Sequence, residues 1–213
     1  MSAKSKVYYP VVPHSTAMIV IDMQNDFVSP SSPGQVPMAY EMVPRLNSLL
    51  DACHTTGIPV IFVRAGWREG ASNAGLIADF HPRVMEGKGS LWASEGHEIY
   101  QGLHRQPEDF LLQKPRYSPF YGTDLETILR PRRIDTLIIG GTVTNLGCEQ
   151  AARDAFCRDY KVIFLSDGTG TRDWPDLGWG PISAADAHRF SLTLMAYACA
   201  RVASVEEVLQ EIK

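Results

Sequence analysis

Apolar residues fall in short, evenly distributed runs. Residues 17–21 are apolar throughout and bounded by polar residues, the mark of a strand buried on both faces. Met42, Leu46, Leu49, Leu50 and Cys53 recur at helical intervals, so a helix is predicted over 41–55, with Gly57 as its stop. Strands follow at 59–65, 110–113, 136–139 and 162–166, with a last short one at 201–203. Helices are predicted over 147–159 and 184–200. Two capping boxes, Thr123 with Glu126 and Ser204 with Glu207, open further helices. Strands therefore alternate with helices. That order predicts an α/β fold: a three-layer α/β/α sandwich around a mostly parallel sheet. Residues 66–108 break the pattern. They are polar and glycine-rich without a clean period, and read as a long variable region that includes a lid.

Composition narrows the class. The 213 residues are 45% hydrophobic, enough to fill one core, so a single domain over 1–213 is expected, with 1–14 as an N-terminal arm. A formal charge of −4 with scattered basic residues argues against a nucleic-acid partner. Cys53, Cys148, Cys157 and Cys199 form no C-x-x-C pair, which suits a reducing cytoplasm. No secretory signal or membrane-spanning run is evident, so no membrane partner is expected.

Candidate chemistry gathers at three strand ends. Asp22 ends the 17–21 strand, where burial would tune a carboxylate; the same residue could equally satisfy backbone N–H groups in a turn. Lys114 ends the 110–113 strand. A lysine beside a proline is usually solvated, but the apolar run before it favours partial burial. The 136–139 strand runs into Gly140, Gly141 and, after Thr142, Val143, Thr144 and Asn145, into a helix opening at Gly147. Such a turn aims backbone N–H groups at one point. All three places share the carboxyl edge of the sheet, where ligands collect. The glycine turn matches neither a Walker loop nor a dinucleotide fingerprint, so no nucleotide cofactor is expected.

Ile19 to Phe27, Lys114 with Tyr117 to Phe120, and Gly141 to Ala155 together resemble the isochorismatase-like hydrolase superfamily, also called the cysteine hydrolases. The resemblance runs from about residue 16 to 212. It implies Asp22 and Lys114 as catalytic residues, a non-proline cis peptide at Thr142–Val143, and a homo-oligomer, dimer or tetramer. It also exposes a departure. Where cysteine hydrolases carry the nucleophilic thiol, this chain has Gly147. Cys148 lies one residue later, about 100° around a helix; it reads as a packed residue rather than a nucleophile. Isochorismatases of the superfamily also show Gly-Cys here, and their reaction needs no thiol. The resemblance thus implies enol-ether hydrolysis of a small molecule with Asp22 as acid, Lys114 orienting it and Gly147 marking the altered position. The alternatives are a C–N amidohydrolase whose nucleophile has become Gly147, favoured by Thr144-Asn145, and a non-catalytic binding protein.

Phe27, Arg116, Tyr117, Val143, Thr144 and Cys148 are the expected substrate contacts, with Arg116 suited to a carboxylate. Trp67, Phe120 and Tyr121 are further aromatics near the matched motifs. Asp26 reads as a turn or helix-capping residue. Metal-binding relatives place an Asp and two His after the second strand, and residues 64–73 contain neither, so no metal is expected. Trp174 and Trp179 in a Gly/Pro-rich loop are expected to pack against another subunit or cover the pocket.

Overall fold

The computed structural model describes residues 6–86, 92 and 94–212. Six strands build the sheet: β1 (Thr16–Ile21), β2 (Val60–Ala65), β3 (Phe110–Lys114), β4 (Thr136–Thr142), β5 (Lys161–Gly170) and β6 (Arg201–Ala203). The helices are α1 (Asn25–Val28), α2 (Pro37–Glu41), α3 (Val43–Thr56), α4 (Ile77–Phe80), α5 (Pro82–Met85), α6 (Leu125–Leu129), α7 (Glu149–Phe156), α8 (Ala184–Ala198) and α9 (Val205–Leu209). Strand order is β3-β2-β1-β4-β5-β6, and every pairing within the sheet is parallel. The expected three-layer α/β/α sandwich is present, with an all-parallel sheet.

The period-2 alternation of the strands divides the core into two layers. Met18 and Val20 of β1 face a cluster with Leu46, Leu49 and Leu50 of α3 and Val205 and Val208 of α9. Ala17, Ile19 and Ile21 face the opposite cluster, with Leu125 and Leu129 of α6, Ala151, Ala152 and Ala155 of α7, and Met195 of α8. All six residues of β1 are buried. That is why its sequence is an unbroken apolar run rather than an alternating one.

The chain builds outward from β1 through β2 to β3, then returns to β4 beside β1 and builds outward the other way. The strand order reverses between β1 and β4, which opens a crevice beyond their carboxyl ends. Gly141 sits at that point, opposite Ile21. Its φ is 122°, and a Cβ there would lie 2.1 Å from the Ile21 carbonyl oxygen, so only glycine lets β4 approach β1 this closely.

Several predicted elements differ in detail. The helix expected over 41–55 is α3, closed by Gly57 at φ 75°, and a separate short helix, α2, precedes it. The Ser204–Glu207 capping box forms, but the Thr123 one does not. Thr123 donates to the Pro119 carbonyl and accepts from Leu125 N–H, which starts α6 one residue late. The 147–159 helix begins as a π turn, Thr144–Cys148, before α7. In the 66–108 region Trp67, Ala71, Ala74, Ile77 and Val84 make a small apolar cluster of their own; the rest of that region at 87–91 and 93, like 1–5 of the arm, lies outside the described residues. The arm from Tyr9 onward is tied down: Arg201 donates to the Tyr9 carbonyl, and Val11 N–H donates to Glu211.

Candidate active site

Asp22 follows β1 at φ 51°, in the left-handed region that few residues other than glycine enter. Its N–H is held by the Val63 carbonyl of β2 (2.9 Å). This turns the carboxylate back over the sheet edge instead of along the strand. Lys114, the last residue of β3, is 1% exposed, and its Nζ lies 2.7 Å from Asp22 Oδ2. The ammonium also donates to the Arg116 carbonyl (3.2 Å). Asp22 Oδ1 is buried and has no hydrogen-bond partner among the described residues. Burial pushes the Asp22 carboxyl above the usual carboxylate range, and the Lys114 charge opposes that rise without cancelling it.

Gly147 completes the group. A Cβ on it would stand 3.1 Å from Asp22 Oδ2, 3.2 Å from Ile21 Cγ2 and 3.7 Å from Lys114 Nζ. Position 147 therefore faces the carboxylate and the ammonium directly. The π turn that carries it is closed by Cys148 N–H on the Val143 carbonyl (3.3 Å), and the Thr142–Val143 peptide is cis.

These groups open on a cavity of about 180 Å³. Phe27, Arg116, Tyr117 and Val143, all expected at substrate, line it with Asp22, Lys114 and Gly147. Thr144 and Cys148 do not. Both have no exposed surface. Thr144 turns its hydroxyl to His188, and Cys148 packs in the α7-side core, as its offset of one residue around the helix dictates. Burial, and then the Asp22 carboxylate, push the Cys148 thiol well above its ordinary pKa, the reverse of an activated nucleophile. Arg116 spends Nη1 on the Asn73 and Pro115 carbonyls, fastening the 66–108 region to β3. Phe120 is buried against Tyr160, Tyr121 is largely exposed, and Trp67 lines the cavity.

Some lining residues had no signal in the sequence. His81 and Arg172 come from segments without a motif, and Asp26 was read only as a cap. His81 Nε2 meets the Tyr117 hydroxyl at 3.0 Å. Burial, then the Arg172 charge, lower the His81 pKa, so that the ring is neutral. Arg172 lies over the Trp174 ring at 5.5 Å, and no carboxylate among the described residues pairs with it. Gln24 is fully buried and bridges the Ala65 N–H and carbonyl and the His97 carbonyl, locking the ends of β1 and β2 together. Trp174 is partly buried against the core, whereas Trp179 is 91% exposed. Among the described residues no three His, Cys, Asp or Glu side chains are grouped to hold a metal, and no helix is long and apolar enough to cross a membrane.

A buried carboxylate–ammonium pair, set against a glycine-bearing turn at the switch point of a parallel sheet, is an arrangement that can serve hydrolysis of a small molecule. The model of the Isochorismatase domain matches residues 16–207. The chain belongs to the isochorismatase family and is a hydrolase of that family. It is similar to ureidoacrylate amidohydrolase RutB from Caulobacter vibrioides, 31% identical over 177 residues that span 75% of this chain and 79% of that one. Among solved structures it superposes on a cysteine hydrolase from Pseudomonas syringae pv. phaseolicola with a TM-score of 0.94, at 39% identity, covering 100% and 98% of the two chains. N-carbamoylsarcosine amidase from Thermoplasma acidophilum gives a TM-score of 0.69 at 25% identity, covering 90% and 97%.

Proposed function

We propose that this chain hydrolyses the C–N bond of a small amide of the ureido or carbamoyl type with an anionic far end. The observation that carries the reading is the meeting of Asp22, Lys114 and the backbone of residue 147 at one wall of the cavity. The relatives named amidohydrolase and amidase supply the bond type. The guanidinium of Arg172 on the cavity wall, which pairs with no carboxylate among the described residues, supports the charge preference.

With no side chain at 147, water is the nucleophile. The Lys114 charge favours the ionised form of Asp22, while burial makes that carboxylate a stronger base than an exposed one. Asp22 takes a proton from water lying over Gly147, and the water oxygen attacks the amide carbon. The developing oxyanion falls towards the 143–147 turn, where backbone N–H groups would stabilise it. Asp22 then returns the proton to the leaving nitrogen. Amide and water become a carboxylic (or carbamic) acid and ammonia or an amine.

A second reading is favoured by Gly147 itself: protonation of an enol ether by neutral Asp22 needs no side-chain nucleophile. One assay separates the two. Ureido acids, N-carbamoyl amino acids, neutral amides and isochorismate are each incubated with the chain, and ammonia and C–O cleavage products are both measured. Ammonia from the anionic amides, reduced at least about 100-fold by Asp22→Asn, is expected. Isochorismate cleavage with no ammonia from any amide overturns the proposal. Ammonia that appears only in Gly147→Cys refutes the water step.

A further inference from the structure

The turn that carries Gly147 has little to hold it from within. An i→i+5 turn is rare and occurs mostly as a single turn, and Gly147 within it adds backbone freedom. Its shape must be imposed from outside, and α8 is the element placed to do so. His188 Nδ1 lies 3.0 Å from Thr144 Oγ1, and His188 Nε2 lies 2.8 Å from the Ser166 carbonyl of β5. One helical turn further along the same face, Ser191 Oγ donates to Glu149 Oε2 at 2.9 Å. Thr144 and Glu149 bracket Gly147 on either side. We infer that His188 is a positioning residue for the reaction: as its neutral Nε2–H tautomer it fixes the Thr144 hydroxyl, and so the 144–147 backbone that faces Asp22.

The hydrogen-bond directions follow from the partners. A carbonyl oxygen can only accept, so Nε2 carries the proton and donates to Ser166. In a neutral ring Nδ1 then offers a lone pair, and Thr144 Oγ1 donates to it. Burial, opposed by the bond to Ser166, lowers the His188 pKa and keeps the ring neutral. The Thr144 hydroxyl is thereby committed away from the cavity, which explains why a residue inside the matched motif touches no substrate space. The neighbouring residues are tied in the same direction: Thr142 Oγ1 donates to the Gly170 carbonyl (3.1 Å), and Thr171 Oγ1 donates to Asn145 Oδ1 (2.7 Å). Side-chain ties at 142, 144 and 145 thus join the end of β4 and the turn to the end of β5, to Thr171 after it and to α8, and His188 is the one among these partners that reaches across from a helix.

The test has a substrate-free arm and a kinetic arm. In the first, ring nitrogens of the 15N-labelled parent chain are read by long-range proton–nitrogen correlation at neutral pH. His188 should show a protonated Nε2 and an unprotonated Nδ1, and Thr144→Val should shift the Gly147 and Cys148 amide signals. In the second, Thr144→Val, His188→Phe, their combination and Thr144→Ser are assayed on whichever amide the chain turns over. The expected result is a kcat lower by about 10–100-fold in each single variant, KM within about threefold, no further loss in the double variant, and retention in Thr144→Ser. A protonated Nδ1, or unmoved turn amides in Thr144→Val, overturns the inference. So do fully additive losses in the kinetic arm. If His188→Phe does not fold, or no amide is turned over, the tautomer and the Thr144→Val amide shifts decide alone.

Discussion

Replacing Lys114 by methionine keeps most of the length of the side chain and removes its charge. Lys114 is 1% exposed and sits 2.7 Å from Asp22, whose own side chain is 10% exposed. The variant therefore strands a carboxylate in a place already costly for it. Breaking a buried pair from one side typically costs about 3–5 kcal/mol. For a chain of this size that corresponds to a melting temperature lower by about 6–20 °C. The pH dependence has a definite sign. Burial already raises the Asp22 pKa above its unfolded value, and losing Lys114 raises it further. A carboxyl of that kind favours folding most at acid pH, where it is protonated in both states, and the contribution is lost as pH rises through the folded value. Lys114→Met should therefore lie close to the parent near pH 4 and fall away towards pH 8. Adding Asp22→Asn removes the stranded charge and should restore at least half of the loss. Urea unfolding at several pH values measures all three chains. A single variant within about 1 kcal/mol of the parent at neutral pH, or a pH-independent loss that Asp22→Asn does not relieve, would refute the reasoning.

Three further outcomes are expected. Gly147→Ala puts a methyl 3.1 Å from Asp22 Oδ2, where the attacking water must stand; it should reduce turnover about 100-fold while unfolding free energy changes by no more than about 1 kcal/mol. Arg172→Gln should raise KM for an anionic amide about 10–100-fold and leave a neutral amide unaffected, as steady-state kinetics with both would show. Under native conditions a thiol reagent should modify Cys157 rapidly and spare Cys53, whose pKa burial pushes up to about 12, and the fully buried Cys148; mass spectrometry of labelled peptides identifies the sites.

What the sequence reveals here follows from the range of each interaction. The sheet was readable because strands buried on both faces must be apolar along their length, as β1 and the first half of β4 are. The placement of Asp22 and Lys114 was readable because one immediately follows and the other terminates a strand that parallel topology brings to one edge, and Gly147 lies in the turn that follows β4 at that same edge. Thr144 and Cys148 were assigned to substrate because sequence reasoning treats neighbours in a motif alike. A π turn separates them in space, and its register depends on α8, more than forty residues away. His81 and Arg172 were invisible for the same reason: nothing local distinguishes a cavity-lining polar side chain from a solvated one. The Thr123 capping box failed because its hydroxyl found a nearer carbonyl at Pro119.

The reversal of strand order between β1 and β4 creates the crevice from connectivity alone, before any side chain is chosen. Acid, amine and turn are each supplied by a different strand and are joined only through space. Under the proposed mechanism the residue at 147 can therefore change while the carboxylate and ammonium that face it stay in place.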